Sequence, residues 1–562
     1  MKRLIGVGVG PGDPELVTVK AVRVLRAADV VLVPVLATHE PGRAETIIRA
    51  YVAADRIRRL EFALNDTGGV TPRRAAAWHA AATAVAEAFA AGATAVAFGT
   101  LGDPGLYSTF SYLAQTVRTL VPEVTVETVA GITAMQDLAS RAGLALAEGT
   151  EPVTLVPLNG GPGVLDQALA QGGTVVGYKL GAAASPAPPE IRDRLQAAGR
   201  LDGAVIGARL GLDGEIIAPA GHVLTADEPL PYLATLIVPA TRPAATGAAL
   251  TSARADHHPS DMDVTFMSLG RHECDTHVVA TGAQDAKLEP EAQEESRTGR
   301  VVFVGAGPGA PDLITERGAQ AIATADIVVW ASSLVDHRIV TGHARPGAEI
   351  VDSAQLPMEQ ILPYYERAGR DKLTVARVHS GDPSLWGAIQ EQLEQCHQLG
   401  LDTEVVPGVS SFTALAAAIQ RELTIPEVSQ SVILTRLGGG KTPMPQKEQV
   451  REFARHGTTM ALFLSAARSG QLQEELREGG YPPDTPCVVA YQVTWPDELI
   501  VMTTVDDLAT TIKERKLWKH TLVLVGPGLA AGGSRSHLYH PGHFHGYRKA
   551  DPEARKQLRN KQ

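Results

Sequence analysis

The stretch Gly6–Leu16, GVGVGPGDPEL, and the stretch Gly305–Leu313, GAGPGAPDL, carry the same glycine–proline turn after an apolar run. The purpose of that turn decides the fold and the function. A glycine-rich turn between a first strand and a helix usually marks a nucleotide loop. The dinucleotide fingerprint needs GxGxxG/A opening a helix and an acid closing the second strand. Counted from Gly8, the sixth position is Asp13; counted from Gly305, it is Ala310, a formal match. The acids Asp29 and Asp326 come before VVLV and IVVW, so they sit at the start of the second strand, the wrong edge for a ribose. Pro11 and Pro308 also remove an amide that a phosphate would need. Neither copy ends in the GK[ST] of a P-loop. These residues argue against a nucleotide as the ligand.

The turn is one of three motifs that recur in the same order. AADVV at Ala27 matches TADIV at Thr324 and extends the first. FGTLGDPGLYS (Phe98–Ser108) matches VHSGDPSLWG (Val378–Gly387), and VAGITAM (Val129–Met135) matches VPGVSSF (Val406–Phe412). Repetition at this scale reads as a tandem duplication of one module. Each copy reads as α/β: short apolar runs alternate with helical patterns, which implies a largely parallel sheet. In the first copy RLIGVGVG, DVVLVPV, TAVAFG and TVETVAG are strands, with helices over PELVTVKAVRVLRAA and RRAAAWHAAATAVAEAFAAG and after GDPGLYS. A second lobe follows with PVTLVPL, TVVGYKL, AVIGARL and YLATLIVPA, and the second copy repeats it with SVILTRL, TMALFLS, PCVVAYQVT and HTLVLVGPG. The expected organisation is a module over 1–240, a polar linker over 241–299, a module over 300–530 and a tail over 531–562.

Composition sets the outer limits. A chain of 562 residues with 44% hydrophobic and 20% charged residues is ordinary for a soluble multidomain protein. Three cysteines without CxxC spacing exclude a disulfide scaffold and point to a reducing cytoplasm. The apolar run after Lys2 and Arg3 is broken by glycines and Pro11, so it is no signal peptide. No apolar stretch approaches the ~20 residues of a membrane span. A net charge of −11 argues against general nucleic-acid binding. Two histidine-bearing stretches, His272, Cys274 and His277 in the linker and His537, His540, His543 and His545 in the tail, are read as solvated and not as metal sites. A closed metal site needs a fourth ligand, and Pro541 and Gly542 break any helical ligand face.

Taken together, the GPG turn, the GDP turn and the PGxS/T-like turn resemble the tetrapyrrole (precorrin/uroporphyrinogen) methyltransferases. The likeness covers both copies and leaves out the linker. The first copy, with GDPGLYST and VVGYKLG, resembles the precorrin-2 C-20 methyltransferases. The second, with WASSLV, VARVHSGDPSLWGAIQ, VVPGVSSFTA, IPEVSQSVILTRL and KTPMP, resembles the precorrin-4 C-11 methyltransferases. The copies depart from the family pattern at Ala130, where proline is usual, and at Ala310, where GPGD has aspartate.

The resemblance implies two-lobed α/β modules that bind S-adenosylmethionine between the lobes. By position, Pro11, Leu101, Gly102, Asp103, Leu106, Thr133 and Ala134 would line the first cofactor site. Pro308, Ser380, Gly381, Asp382, Leu385, Ser410 and Ser411 would line the second. Lys179 and Leu464 fall near the adenine. Exposed amides at a helix start suit the cofactor carboxylate, and aspartate suits its ammonium or sulfonium; Asp103, Asp382, Thr133 and Ser410 could equally be helix caps. Precorrin acetates and propionates call for cations, for which Arg43, Arg209, Arg377 and Arg436 are candidates, with Lys179 and His379 assisting. No catalytic base stands out. The implied function is C-20 methylation of precorrin-2 and C-11 methylation of precorrin-4 in cobalamin biosynthesis. The alternatives are the same steps on cobalt-containing intermediates, or one active module with the other as a dimerisation scaffold. The modules would pair within the chain or in a homo-oligomer.

Overall fold

The computed structural model describes residues 1–63, 71–182, 184–225, 230–242, 298–426, 428–439, 444–445 and 448–530. The first module opens with β1 (Arg3–Gly8), β2 (Val30–Val35), β3 (Ile57–Glu61), β4 (Ala95–Thr100) and β5 (Thr125–Val129). They form a parallel sheet in the order β3-β2-β4-β1-β5. Its central strands are buried on both faces, which is why RLIGVG and AVAFGT read as unbroken apolar runs. The second lobe holds β6 (Val153–Pro157), β7 (Thr174–Tyr178), β8 (Val205–Ala208), β9 (Ile216–Pro219) and β10 (Thr235–Val238).

The second module repeats the plan with β11 (Arg300–Gly305), β12 (Ile327–Trp330), β13 (Glu349–Asp352), β14 (Thr374–His379) and β15 (Asp402–Val406), ordered β13-β12-β14-β11-β15. Its second lobe holds β16 (Val432–Arg436), β17 (Thr459–Phe463), β18 (Pro486–Tyr491), β19 (Leu499–Thr504) and β20 (Thr521–Val525).

The two second lobes share one ten-stranded sheet, β19-β18-β20-β17-β16-β6-β7-β10-β8-β9. It is continuous because β6 and β16 pair antiparallel, Thr154 opposite Ile433. These lobes differ from the largely parallel expectation: only β6–β7 and β16–β17 are parallel, and the other neighbours run antiparallel. Short connections such as 209–215 between β8 and β9 cannot make a parallel crossover, so they return as hairpins. Strands β3, β9, β13 and β19 were not anticipated: they are edge strands and mostly half buried or exposed, and IRRLE has no apolar run, although LIVMTT does. The expected helix from Pro14 also splits into a single turn over Pro14–Leu16 and a helix over Val19–Ala27, capped by Thr18 Oγ1 accepting from the Ala21 amide.

The modules meet about a pseudo-twofold axis. Val19 N donates to Ile314 O and Glu316 N donates to Val17 O, both at 3.0 Å, a reciprocal exchange between equivalent turns. A single apolar core joins residues of both modules, among them Leu138, Leu155 and Met135 with Phe412, Leu415 and Leu434. Helices Ala134–Ala142 and Ser411–Ala418 supply much of it. No helix among the described residues is long and apolar enough to cross a membrane.

Candidate active sites

In each module the three sequence motifs converge at the carboxyl ends of adjacent parallel strands, where open α/β sheets place their ligands. In the first, Gly102 N donates to Gly10 O at 2.8 Å and Gly10 N donates to Gly102 O at 3.3 Å. In the second, Gly381 N and Gly307 N make the same exchange at 2.8 and 3.2 Å. Gly102 and Gly381 are left-handed, φ 70° and 67°, and a Cβ on either would have no neighbour closer than 4.0 Å. Both turns therefore face open space, in a conformation that glycine takes without strain.

Asp103 and Asp382 are buried, with their carboxylates turned onto the chain itself. Asp103 Oδ1 accepts from Gly105 N at 2.7 Å and its Oδ2 from Gly131 N at 2.9 Å. Asp382 accepts from the amide and hydroxyl of Ser384, from Gly408 N at 3.0 Å and from Gln136 Nε2 at 3.1 Å. Each aspartate clamps the GDP turn to the turn after β5 or β15. Both acids are thus engaged by the protein's own donors, where the resemblance had them facing a cofactor ammonium or sulfonium. Burial pushes Asp103 up to about 7 and Asp382 up to about 6.

Thr133 and Ser410 stand immediately before the helices beginning at Ala134 and Ser411, whose first amides lack intrahelical partners. Thr133 is a capping box with Gln136. Pro11 and Pro308 belong to the turns that dock on the second lobes. A Cβ on Gly12 would lie 1.8 Å from Leu210 O. Trp495 Nε1 donates to Pro308 O at 2.7 Å, and Ala310 N donates to Thr494 Oγ1 at 2.9 Å. Leu106 and Leu385 are buried in the shared core beside their turns. Leu101 and Ser380 directly precede the left-handed glycines.

Left-handed side chains line both walls of each cleft; of these the sequence singled out Lys179, Leu464 and Arg209 but not Tyr107, Trp386 or Gln492. Tyr107 and Trp386 follow the GDP turns at equivalent positions with φ 49° and 55°. Lys179 and Leu464 directly follow β7 and β17 with φ 62° and 51°, and Arg209 and Gln492 follow β8 and β18 with φ 54° and 47°. Bulky residues held left-handed carry strain of roughly 1–3 kcal/mol each, and such strain clusters at ligand sites. Here it falls at the same positions twice. Tyr107 and Tyr178 are in ring contact at 5.2 Å, with Lys179 Nζ 4.8 Å from the Tyr107 ring centre; Trp386 and Phe463 repeat the ring contact at 4.7 Å. The buried Trp386 Nε1 has no hydrogen-bond partner among the described residues. Spacing from the GDP motif could have flagged Tyr107 and Trp386; the backbone conformation has no sequence signal.

The four candidate arginines separate. Arg43, at the head of the helix Arg43–Ile48 in the first lobe, lies close enough to Arg209 of the second lobe for that charge, after burial, to lower its own pKa. Arg436 ends β16 opposite Phe463, and burial and Arg468 lower it similarly. Arg377 instead lies inside the first lobe of the second module, donating to Ser353 Oγ at 2.7 Å and to Gln392 Oε1 at 3.1 Å. It is the counterpart of Phe98, a core residue of the first module, and holds an internal polar network. His379 is buried beside it with Nε2 unpartnered; burial and the Arg377 charge push it down to about 3.

No group of His, Cys, Asp and Glu among the described residues could hold a metal ion. His272, Cys274, His277 and the tail histidines His537, His540, His543 and His545 lie outside the described residues.

Comparison with known proteins agrees with this duplicated architecture. Residues 3–222 and 300–509 each match the model of the Tetrapyrrole (Corrin/Porphyrin) Methylases. The chain belongs to this family. Tetrapyrrole methylases take their methyl group from S-adenosylmethionine, and that is the cofactor of this protein. The chain is 43% identical over 252 residues to the cobalt-precorrin-4 C(11)-methyltransferase of Methanocaldococcus jannaschii, covering 45% of this chain and 96% of that relative. It is 42% identical over 252 residues to the precorrin-4 C(11)-methyltransferase of Pseudomonas aeruginosa, covering 45% of this chain and 99% of the relative. A solved cobalt precorrin-4 methyltransferase is 41% identical, with 41% of this chain and 96% of that one covered at a TM-score of 0.40.

The donor set fits the cofactor. Each tetrapyrrole methylase module offers a left-handed glycine turn facing open space, a helix start at the third motif, and an aromatic pair with one ring from each lobe.

Proposed function

We propose that this chain is a bifunctional methyltransferase of cobalamin (corrin ring) biosynthesis, methylating precorrin-2 at C-20 in its first module and precorrin-4 at C-11 in its second. One observation carries the bifunctional reading: both modules keep the paired glycine turns, the aspartate clamp and the left-handed second-lobe residues. A module kept only as scaffold would have no need of that strain. The C-11 reading draws on the relatives named above and on the VARVHSGDPSLWGAIQ and VPGVSSF motifs of the second module. The C-20 reading draws on GDPGLYST and VVGYKLG of the first.

When bound, the cofactor supplies a methyl already activated on a sulfonium. The residues of the chain then need only to hold the two reactants in line and exclude water. Pro11, Leu101, Gly102, Leu106, Thr133 and Ala134 would shape the first cofactor site, with Pro308, Ser380, Gly381, Leu385, Ser410 and Ser411 shaping the second. Asp103 and Asp382 fix the turns. Lys179 and Leu464 sit at the adenine end. Arg43 and Arg209 bring like charges together across the first cleft, an arrangement that substrate carboxylates would relieve; in the second module Arg436 is paired with the like charge of Arg468 within one lobe.

The test is to supply precorrin-2 or precorrin-4 with methyl-labelled S-adenosylmethionine and to locate the label by mass and carbon-13 NMR. One methyl at C-20 and one at C-11, respectively, is the expected result. Because one relative is named for a cobalt-precorrin, the assay is run with metal-free and cobalt-containing substrates. Label at neither carbon with either form contradicts the assignment.

A further inference from the structure

Gln136 is fully buried and joins the two cofactor turns directly. Its Oε1 accepts from Thr133 N at 3.0 Å and from Thr133 Oγ1 at 2.9 Å, within the first module. Its Nε2 donates to Asp382 Oδ2 at 3.1 Å and to Gly408 O at 2.7 Å, within the second. All four hydrogen-bonding sites of the amide are used, and the backbone partners at both ends fix which atom is oxygen. The pseudo-twofold axis does not repeat this link. The equivalent position in the second module is Thr413, whose Oγ1 turns back to Ser410 O at 3.0 Å. Asp103 accordingly has only the amides of Gly105 and Gly131.

We propose that Gln136, a residue of the first module, is a positioning residue for the cofactor site of the second, holding the Asp382–Gly408 clamp from across the module boundary. The proposal rests on the reading of the second module as a cofactor site. Asp382 accepts from Ser384 on one oxygen, and on the other it accepts from both Gly408 N and Gln136 Nε2, a donor that Asp103 does not have. Gly408 in turn has its amide on Asp382 and its carbonyl on Gln136. Removing the amide group frees the Gly408 carbonyl and leaves Asp382 without its cross-module donor, loosening the VPGVSS turn that carries Ser410 and Ser411. The second site thus includes a residue of the first module and is incomplete without it, whereas the Asp103 clamp draws on its own module.

Gln136→Glu in the full chain separates this role from simple packing. Glutamate at that position still accepts from Thr133 in the capping box, but when ionised it cannot donate to Asp382 or Gly408. The expected result at pH 8 is a roughly tenfold higher KM for S-adenosylmethionine in the C-11 reaction, with a smaller change in kcat, from loss of a hydrogen bond to a buried charged group. Relative to the wild type at the same pH, the defect shrinks as the pH falls from 8 and the new carboxyl takes up a proton that it can donate. The C-20 reaction changes far less. Gln136→Met, which cannot donate at any pH, shows no such recovery. An unchanged C-11 KM in both variants, or equal loss in both reactions without pH recovery, overturns the proposal. If the wild-type second module binds no S-adenosylhomocysteine at all, the functional reading falls, and this proposal falls with it.

Discussion

Asp103 Oδ2 accepts the Gly131 amide at 2.9 Å, so the carboxylate of the GDP turn is a clamp between two loops. Asp103→Asn keeps the shape but sets an amide N–H against a backbone N–H. It should cost about 1–3 kcal/mol at the turn, the penalty for a buried group left unsatisfied, and weaken cofactor binding in the first module. The check is S-adenosylhomocysteine titration together with denaturant unfolding. Lost binding with unchanged stability would instead mean that Asp103 contacts the ligand.

Acid should open the two clamps in sequence. Asp103 sits at about 7 and Asp382 at about 6. A proton on either carboxyl replaces an acceptor that an amide needs. Cofactor affinity of the first module should fall as pH drops through 7, and that of the second roughly one unit lower. The stability contribution has the opposite sign. Both acids are raised above their usual 3.8, so between about 4 and 7 the folded chain keeps protons that the unfolded chain has released. The stability due to these groups therefore falls as pH rises across that window. Titrations at several pH values check the order, and simultaneous loss at both sites would contradict it.

Leu464 is 70% exposed with φ 51°. Leu464→Gly should stabilise the chain by about 1 kcal/mol by relieving the left-handed strain, yet weaken cofactor binding in the second module by removing the side chain at the adenine end. Thermal unfolding and ligand titration read the two effects separately. A destabilised variant would show that Leu464 is held by packing alone.

Much of this arrangement was legible in the sequence. The three turns, their duplication and most strands followed from apolar runs and glycine–proline punctuation. Those features depend on local chemistry. The aspartate clamp was not legible, because Asp after glycine at a turn reads equally as a cap, a ligand contact or a loop brace. The left-handed conformation of Tyr107, Trp386 and Arg209 gave no signal, since nothing in those side chains favours positive φ. Nor could Arg377 be told from a surface cation: its neighbours Ser353 and Gln392 reach it only through the fold. The β6–β16 seam is also invisible from one copy, because VTLVP and VILTR describe buried strands without naming their partners.

That seam makes the modules one folding unit. Leu155 and Leu434 are fully buried in a core drawn from both. Leu155→Ala should cost about 2–5 kcal/mol and lower the melting of both modules together. Calorimetry should show one transition in the wild type and one, at lower temperature, in the variant. Two separate transitions, only one of them shifted, would contradict the shared core.

The central claim is that both modules are working cofactor sites. Isothermal titration of the full chain with S-adenosylhomocysteine at pH 8, where both clamps are ionised, tests it most directly. The account predicts two molecules bound per chain, with one lost in Asp103→Asn and the other in Asp382→Asn. One molecule per chain in the wild type, abolished by only one of these variants, would contradict it.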